Sequence, residues 1–317
     1  MRILVTGSAG MLGSALIPAF VHAGHEVVPT DVDLRDPTPW GLGYPSLHHL
    51  DVRDWAEVRH VFSVVEPEIV LHLAAETSLE VSDADPDHAY LTNAIGTKYV
   101  ALQAHAAGIP MTYISTAGVF DGQKEAPYTE FDVPNPLNTY GASKHEGELI
   151  VARTVERHFI VRAGWMVGGG AKKDHKFVSR IVDQVRAGAQ TIYAVTDKLG
   201  TPTYAPDFSR CLLGLIESGV PGLYHMACGG EGSRYDVTER ILEVLGREDI
   251  ALVPVTSEFF AEEFSSVRPR SEIMRNMVLD LQQMNTMRPW RVAVEEYLLT
   301  EFPSLVSSAR HSTFQVA

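Results

Sequence analysis

Met1-Arg-Ile-Leu-Val-Thr-Gly-Ser-Ala-Gly-Met-Leu-Gly13 decides the fold: an apolar strand runs directly into glycines at positions 7, 10 and 13. A parallel strand must end and a helix begin within these few residues, and only glycine lets the backbone turn so tightly and lie close against a pyrophosphate. A helical pattern follows at once, apolar at Met11, Leu12, Ala15, Leu16, Ala19 and Phe20. Its N-terminal N–H groups and partial positive charge stabilise an anion without a lysine. A glycine triplet alone also suits a turn that binds nothing, but a preceding strand and a following helix are what the dinucleotide motif requires. Gly7, Gly10, Met11, Leu12 and Gly13 are therefore expected to hold the cofactor's phosphates.

Outward from this turn, short β-rich runs near 2–6, 26–30, 68–73, 111–115 and 159–163 alternate with helical patterns. Such alternation predicts an α/β protein with a Rossmann-type doubly wound parallel sheet. The second run ends at Asp31, about twenty residues beyond the glycines, where a carboxylate hydrogen-bonds the adenosine ribose hydroxyls. A carboxylate there repels a 2′-phosphate, so NAD(H) is favoured; Arg35 lies close enough in sequence to keep NADP(H) possible. Capping of the local loop is the other reading of Asp31. Asp51-Val52 is placed to meet the adenine, and Asp54 to cap a helix starting at Trp55. Ala74-Ala75 are small enough for the chain to pass beside the cofactor, or simply to pack in the core. Residues 1–165 are expected to form the NAD(P)-binding domain, joined by a returning strand near 222–226. From 166 to 303 the pattern changes, beginning with Gly168-Gly-Gly170 and the lysines at 172, 173 and 176, and predicts a smaller, discontinuous C-terminal substrate lobe. The polar stretch 304–317 reads as a mobile tail.

Composition narrows the function. A chain of 317 residues with 45% hydrophobic content buries a large core, as one α/β unit or two closely joined lobes. A net charge of −14 with no basic run argues against nucleic acid, while leaving room for local cationic pockets that take a phosphorylated small molecule. No apolar stretch is long enough to span a bilayer. The first strand starts at residue 2, which leaves no space for a cleaved leader and points to the cytoplasm. Cys211 and Cys228 stand in no metal or redox spacing and are expected to be buried. The thirteen histidines include no paired ligand arrangement, so no metal site is expected.

Tyr140-Gly-Ala-Ser-Lys144 carries the chemistry. Residues four apart on a helix share a face, so phenol and ammonium point into one pocket. A phenol near its reference pKa of about 10 is a poor proton carrier at neutral pH, and a neighbouring ammonium is expected to lower it. The strand Met111-Thr-Tyr-Ile-Ser115 leads into Thr116 at the carboxyl end, where doubly wound sheets place their ligands. Thr116 and Ser115 compete for the role of carbonyl-orienting hydroxyl, since alternation sends them to opposite faces.

On these residues the chain resembles the extended short-chain dehydrogenase/reductases, with Thr116, Tyr140 and Lys144 as the triad. Phe120-Asp-Gly122, Pro127-Tyr-Thr-Glu130, Pro134 to Gly141, Ser143-Lys144 and Gly147-Glu148 are similar to the dTDP-4-dehydrorhamnose reductase branch. So are Gly200-Thr-Pro-Thr-Tyr-Ala-Pro-Asp207, Gly222-Leu-Tyr-His225 and Arg268-Pro-Arg270. The resemblance implies reduction of a 4-keto-sugar carried on a nucleoside diphosphate, with hydride from the nicotinamide and a proton from Tyr140. It implies that Lys144 tunes the tyrosine and contacts the nicotinamide ribose, and it sets Asn93 beside Asp51, Val52, Ala74 and Ala75 along the cofactor. Thr77 and Trp165 would contact the sugar, and Arg268 would meet a phosphate or support the substrate lobe, a surface ion pair being its plain alternative. A homodimer is common among such proteins.

Two departures mark the sugar pocket. The branch's usual Ser-Thr-Asp-Tyr-Val-Phe is here Ser115-Thr-Ala117-Gly118-Val-Phe120, and its Ala-Ala-Tyr-Thr is Ala74-Ala75-Glu76-Thr77. An acid and an aromatic ring are gone, a carboxylate has arrived, and the substrate need not be the rhamnose precursor. A nucleotide-sugar epimerase with tightly held NAD is the enzymatic rival. A non-catalytic, NAD(P)-binding regulatory subunit is the rival from another class, and the intact triad argues against it. Ala117 argues against a 4,6-dehydratase, which needs an acid at that position.

Overall fold

The computed structural model describes residues 1–36, 39–263 and 265–306. Its first half runs β1 (Arg2–Thr6), α1 (Met11–His22), β2 (Glu26–Asp31), β3 (His48–His49), α2 (Trp55–Val65), β4 (Ile69–His72), α3 (Leu79–Ala84), α4 (Pro86–Tyr90), a π-helical turn (Leu91–Gly96), α5 (Thr97–Ala107), β5 (Met111–Thr116), α6 (Thr139–Thr154) and β6 (His158–Ala163). The second half runs β7 (Trp165–Val167), α7 (Gly170–Lys173), α8 (Phe177–Arg186), β8 (Thr191–Val195), β9 (Leu199–Gly200), β10 (Pro202–Tyr204), α9 (Ala205–Ser218), β11 (Gly222–Met226), β12 (Gly232–Ser233), α10 (Arg234–Leu245), β13 (Ala251–Val255), α11 (Met277–Leu281) and α12 (Trp290–Glu301).

Seven strands form one sheet in the order β11-β6-β5-β4-β1-β2-β3, every pair parallel. The expected strands lie within one residue of their places. The chain order reverses between β1 and β4, so the switch point, where such sheets bind ligands, lies beyond Thr6 and His72. Both faces of β1 are buried. Ile3 and Val5 pack with Leu16, Ile17 and Phe20 of α1, while Leu4 packs with Val58 and Phe62 of α2 and Val100 of α5. A strand covered on both sides needs no polar alternation, which is why Ile3-Leu-Val5 is an unbroken apolar run.

Local chemistry sets the helix starts. Asp54 caps α2 by accepting the N–H groups of Ala56 at 2.7 Å and Glu57 at 3.1 Å. Ser233 and Asp236 form a reciprocal capping box on α10. The apolar cluster on the α1 side of the sheet continues without interruption to Trp290, Tyr297 and Leu298 of α12. Cys211 and Cys228 are buried there too. Of the stretch expected to be a mobile tail, Ser304 and Leu305 belong to the 3-10 turn Pro303–Leu305, and Val306 packs into that cluster. Residues 307–317 lie outside the described residues. No described helix is long and apolar enough to cross a membrane.

Candidate active site

The turn after β1 is shaped by backbone contact. Gly7 has φ +67°, and a Cβ there would stand 2.4 Å from the amide nitrogen of Ala74. On Gly13 a Cβ would lie 1.9 Å from the carbonyl oxygen of Ser8, so α1 can leave the turn at this angle only with glycine. No side chain caps α1, and its first turn holds no acid. The N–H groups of Met11, Leu12 and Gly13 therefore have no acceptor within the helix, which is the arrangement a phosphate needs. At the tip of β2, Asp31 accepts from Ala9 N–H at 2.9 Å and Asp33 N–H at 3.0 Å. It caps the glycine loop from the end of β2, as one of its two readings has it. Arg35 is exposed and forks onto Asp33 at 2.9 and 2.6 Å, holding that carboxyl down at about 2. Asp51 carries a similar fork from Arg53, at 2.9 and 2.6 Å, which lowers its pKa. Val52 is buried, its methyl close to Gly96. These residues fit a dinucleotide: a tight glycine turn, an uncapped helix start and an acid at the end of β2.

Asn93 has a different place from the rest. It is fully buried in the π-helical turn, and its side chain is spent on protein. Its Nδ2 donates to the Glu76 carbonyl and to Ser143 Oγ, each at 3.0 Å, while its Oδ1 accepts Glu76 N–H at 2.9 Å. It thus fastens the segment after β4 to α6. The carboxylate of Glu76 pairs with His88 at 3.3 Å, and Thr77 beside it is exposed.

Ser115 and Thr116 part as strand alternation requires. Ser115 is buried, whereas the half-buried Thr116 faces α6 and hydrogen-bonds the Tyr140 hydroxyl. Thr116 Oγ1 also accepts Gly118 N–H at 3.1 Å, which holds the hydroxyl beside Tyr140. Asn138 caps α6 through Gly141 N–H at 2.8 Å, fixing the turn that carries Tyr140. A Cβ on Gly141 would lie 2.2 Å from the Gly118 carbonyl, so helix and loop touch.

The expected lowering of the phenol is not what the site does. Burial pushes Tyr140 up to about 12; the Thr116 hydrogen bond opposes this, and the charges of Glu272 and Glu76 add to it. Burial likewise pushes Lys144 down to about 7, against the charge of Glu148. Helical spacing puts both groups on α6 but says nothing about desolvation, which disfavours charge on each. The Lys144 ammonium lies 4.1 Å from the centre of the Tyr113 ring. Below it, Glu148 and Arg162 form a buried fork at 2.8 and 2.7 Å that ties α6 to β6.

Across from the triad, Trp165 Nε1 donates to Glu272 at 2.7 Å, and its ring lies against the backbone of Gly200. The Arg234 guanidinium sits 3.5 Å from the centre of the same ring. Arg268 reaches this side too, but it pairs with Glu80 and donates to the Ser266 carbonyl at 3.0 Å. Its ion-pair reading is the one the structure shows. Arg234 and Glu272 were not singled out from the sequence, where the only signal was the Ser233-x-x-Asp236 cap that opens α10 with Arg234.

The family model described as RmlD substrate binding domain matches residues 1–302. The chain is similar to the spore coat polysaccharide biosynthesis protein SpsK of Bacillus subtilis, with 32% identity over 94% of this chain and 96% of that one. A dTDP-4-dehydrorhamnose reductase from Clostridium acetobutylicum has a similar structure, with TM-score 0.84 and 32% identity over 94% and 98% of the two chains. So does a dTDP-4-dehydrorhamnose reductase from Bacillus anthracis in complex with NADP, with TM-score 0.84 and 29% identity over 94% and 99%. Likeness of this extent covers the glycine turn, the triad and the sugar side together: the chain belongs to the RmlD substrate-binding-domain family, a dTDP-4-dehydrorhamnose reductase-like branch of the extended short-chain dehydrogenase/reductases, which are NAD(P)-dependent oxidoreductases.

Proposed function

We propose that this protein reduces the ketone of a nucleotide-activated 4-keto-sugar. The observation that carries the reading is the hydroxyl pair of Tyr140 and Thr116 at the carboxyl end of β5, in a sheet whose switch point bears the glycine turn. A bound nicotinamide supplies the hydride. Tyr140 holds the proton: at a pKa pushed up to about 12 it stays a phenol at neutral pH, and it gives the proton up only as charge grows on the substrate oxygen. Thr116 orients that oxygen, its hydroxyl held between Gly118 N–H and the Tyr140 hydroxyl. Lys144 serves the nicotinamide ribose, and Asn93 keeps Glu76 and α6 in register around the sugar. Thr77 and Trp165 contact the sugar in this reading. Residues 166–303 act as the substrate lobe, and 1–165 with 222–226 as the cofactor lobe.

Asp31 favours the free ribose hydroxyls of NADH, while Arg35, held on Asp33, leaves NADPH usable at lower preference. The test is loss of reduced-nicotinamide absorbance with a panel of nucleoside-diphosphate 4-keto-sugars and each cofactor. Stoichiometric loss supports the reading and ranks cofactor and sugar. Retained cofactor without turnover overturns it in favour of an epimerase or a regulatory binding subunit.

A further inference from the structure

Arg268 was the expected phosphate ligand, yet its guanidinium is engaged by Glu80 and by the Ser266 carbonyl. Other arginines of the second half are tied in the same manner: Arg288 forks onto Asp207 and pairs with Glu296, and Arg240 joins Glu243 and Glu295. These pairs hold shape. Arg234 is different. Among the described residues its guanidinium makes no hydrogen bond and no ion pair, and it is held instead by aromatic surface, 3.5 Å from the centre of the Trp165 ring and 4.7 Å from that of Phe177. Stacking fixes the plane of a guanidinium and leaves all five N–H donors available, with no carboxylate to be displaced.

Its surroundings point to an anion. The charge of Glu272 acts on Arg234, on Lys176 and on Tyr140, so one carboxylate is shared by two cations and the proton donor. Glu272 is itself engaged by Trp165 Nε1 at 2.7 Å, and Arg268 adds further positive charge on the same side. Burial destabilises the charge of Arg234, and a bound anion would restore what solvent no longer provides. A planar fork with free donors beside the sugar-facing tryptophan matches a diphosphate, which offers several oxygens for bidentate bonds.

We infer that Arg234, stacked on Trp165, is the residue that grips the diphosphate of the nucleotide-sugar and so sets the affinity for substrate. The inference rests on the nucleotide-sugar reading above. It makes Arg234 a binding residue, remote from the proton transfer at Tyr140.

Two variants and two readouts test it. Arg234→Gln removes the charge, and Arg234→Met keeps an aliphatic stem over the rings should the glutamine variant fold poorly. Binding of thymidine diphosphate, uridine diphosphate and guanosine diphosphate is measured by calorimetry with NADPH present, and turnover is measured on whichever keto-sugar the wild type reduces. Loss of one charge-assisted fork weakens binding of the preferred diphosphate, and raises KM, by roughly 10- to 100-fold. kcat stays within about twofold, and NADPH affinity is unchanged. Arg234→Lys recovers part of the loss, since the charge returns without the fork. Unaltered diphosphate binding in a folded Arg234→Gln or Arg234→Met protein overturns the inference while leaving the reductase reading intact. A wild-type protein that binds none of the three diphosphates overturns both.

Discussion

The turn between β1 and α1 and the pocket around Trp165, which the proposed function makes two ends of one site, are made of different material. The turn is backbone. Gly7 and Gly13 are required because a Cβ would strike Ala74 and Ser8, and the helix start offers N–H groups rather than side chains. The pocket is side chains drawn from far apart: Trp165 from β7, Phe177 from α8, Arg234 from α10, Glu272 from the segment before α11. A surface made by backbone tolerates almost no change and accepts one kind of ligand. A surface made by side chains can be rebuilt one residue at a time.

If this contrast holds, chemistry should fail on the side-chain side without disturbing cofactor binding, and steric insertion should do the reverse. The largest effect is expected for Tyr140→Phe. It deletes the proton donor and should lower kcat about 1,000-fold while NADPH still binds, as followed by nicotinamide fluorescence. Wild-type turnover in this variant would remove Tyr140 from the reaction. Gly13→Ala comes next. Its Cβ meets a carbonyl oxygen at 1.9 Å that belongs to the turn itself, so we expect a loss of roughly 3 kcal/mol in denaturant unfolding together with loss of cofactor binding. A stable, NADPH-binding Gly13→Ala protein would break the contrast at its backbone end.

The third prediction concerns pH. Lys144 has been pushed down to about 7 by burial, with Glu148 opposing, so its positive charge is present below that value and is lost as pH rises through it. Activity that depends on the ammonium should therefore decline several-fold between about pH 7 and 9, a range in which Tyr140, raised to about 12, remains protonated. Lys144→Arg, which stays charged, should flatten that alkaline limb even if the rate plateau drops. An unchanged limb would assign the decline to another group. The smallest effect is expected for Asp33→Asn. Freeing Arg35 from its exposed fork should shift the ratio of kcat/KM for NADPH over NADH by about two- to fivefold, since exposed ion pairs are weak.

The same contrast explains what the sequence made legible. β1 could be read because burial on both faces leaves an unbroken apolar run, and the start of α2 because Asp54 caps it within three residues. Tyr140 and Lys144 could be paired because helical spacing is local. Their proton affinities could not be read, because desolvation depends on everything packed around them. Arg234 and Glu272 were equally hidden: each lies more than a hundred residues from the triad's Thr116, and only tertiary packing brings them to Trp165. Asn93 illustrates another case, a residue expected along the cofactor whose amide binds the protein's own backbone.

The apolar cluster that begins at Ile3 and ends at α12 bears on how such a protein can diversify. Trp290, Tyr297 and Leu298 share a core with the first strand, so the second half of the chain is not a cassette that recombination can exchange for another. Replacing it would strip the cover from the sheet that holds the cofactor. New sugar specificities on this scaffold must therefore arise by point substitution around an inherited interior, and ancestry should remain traceable along the whole chain even where the substrate has changed.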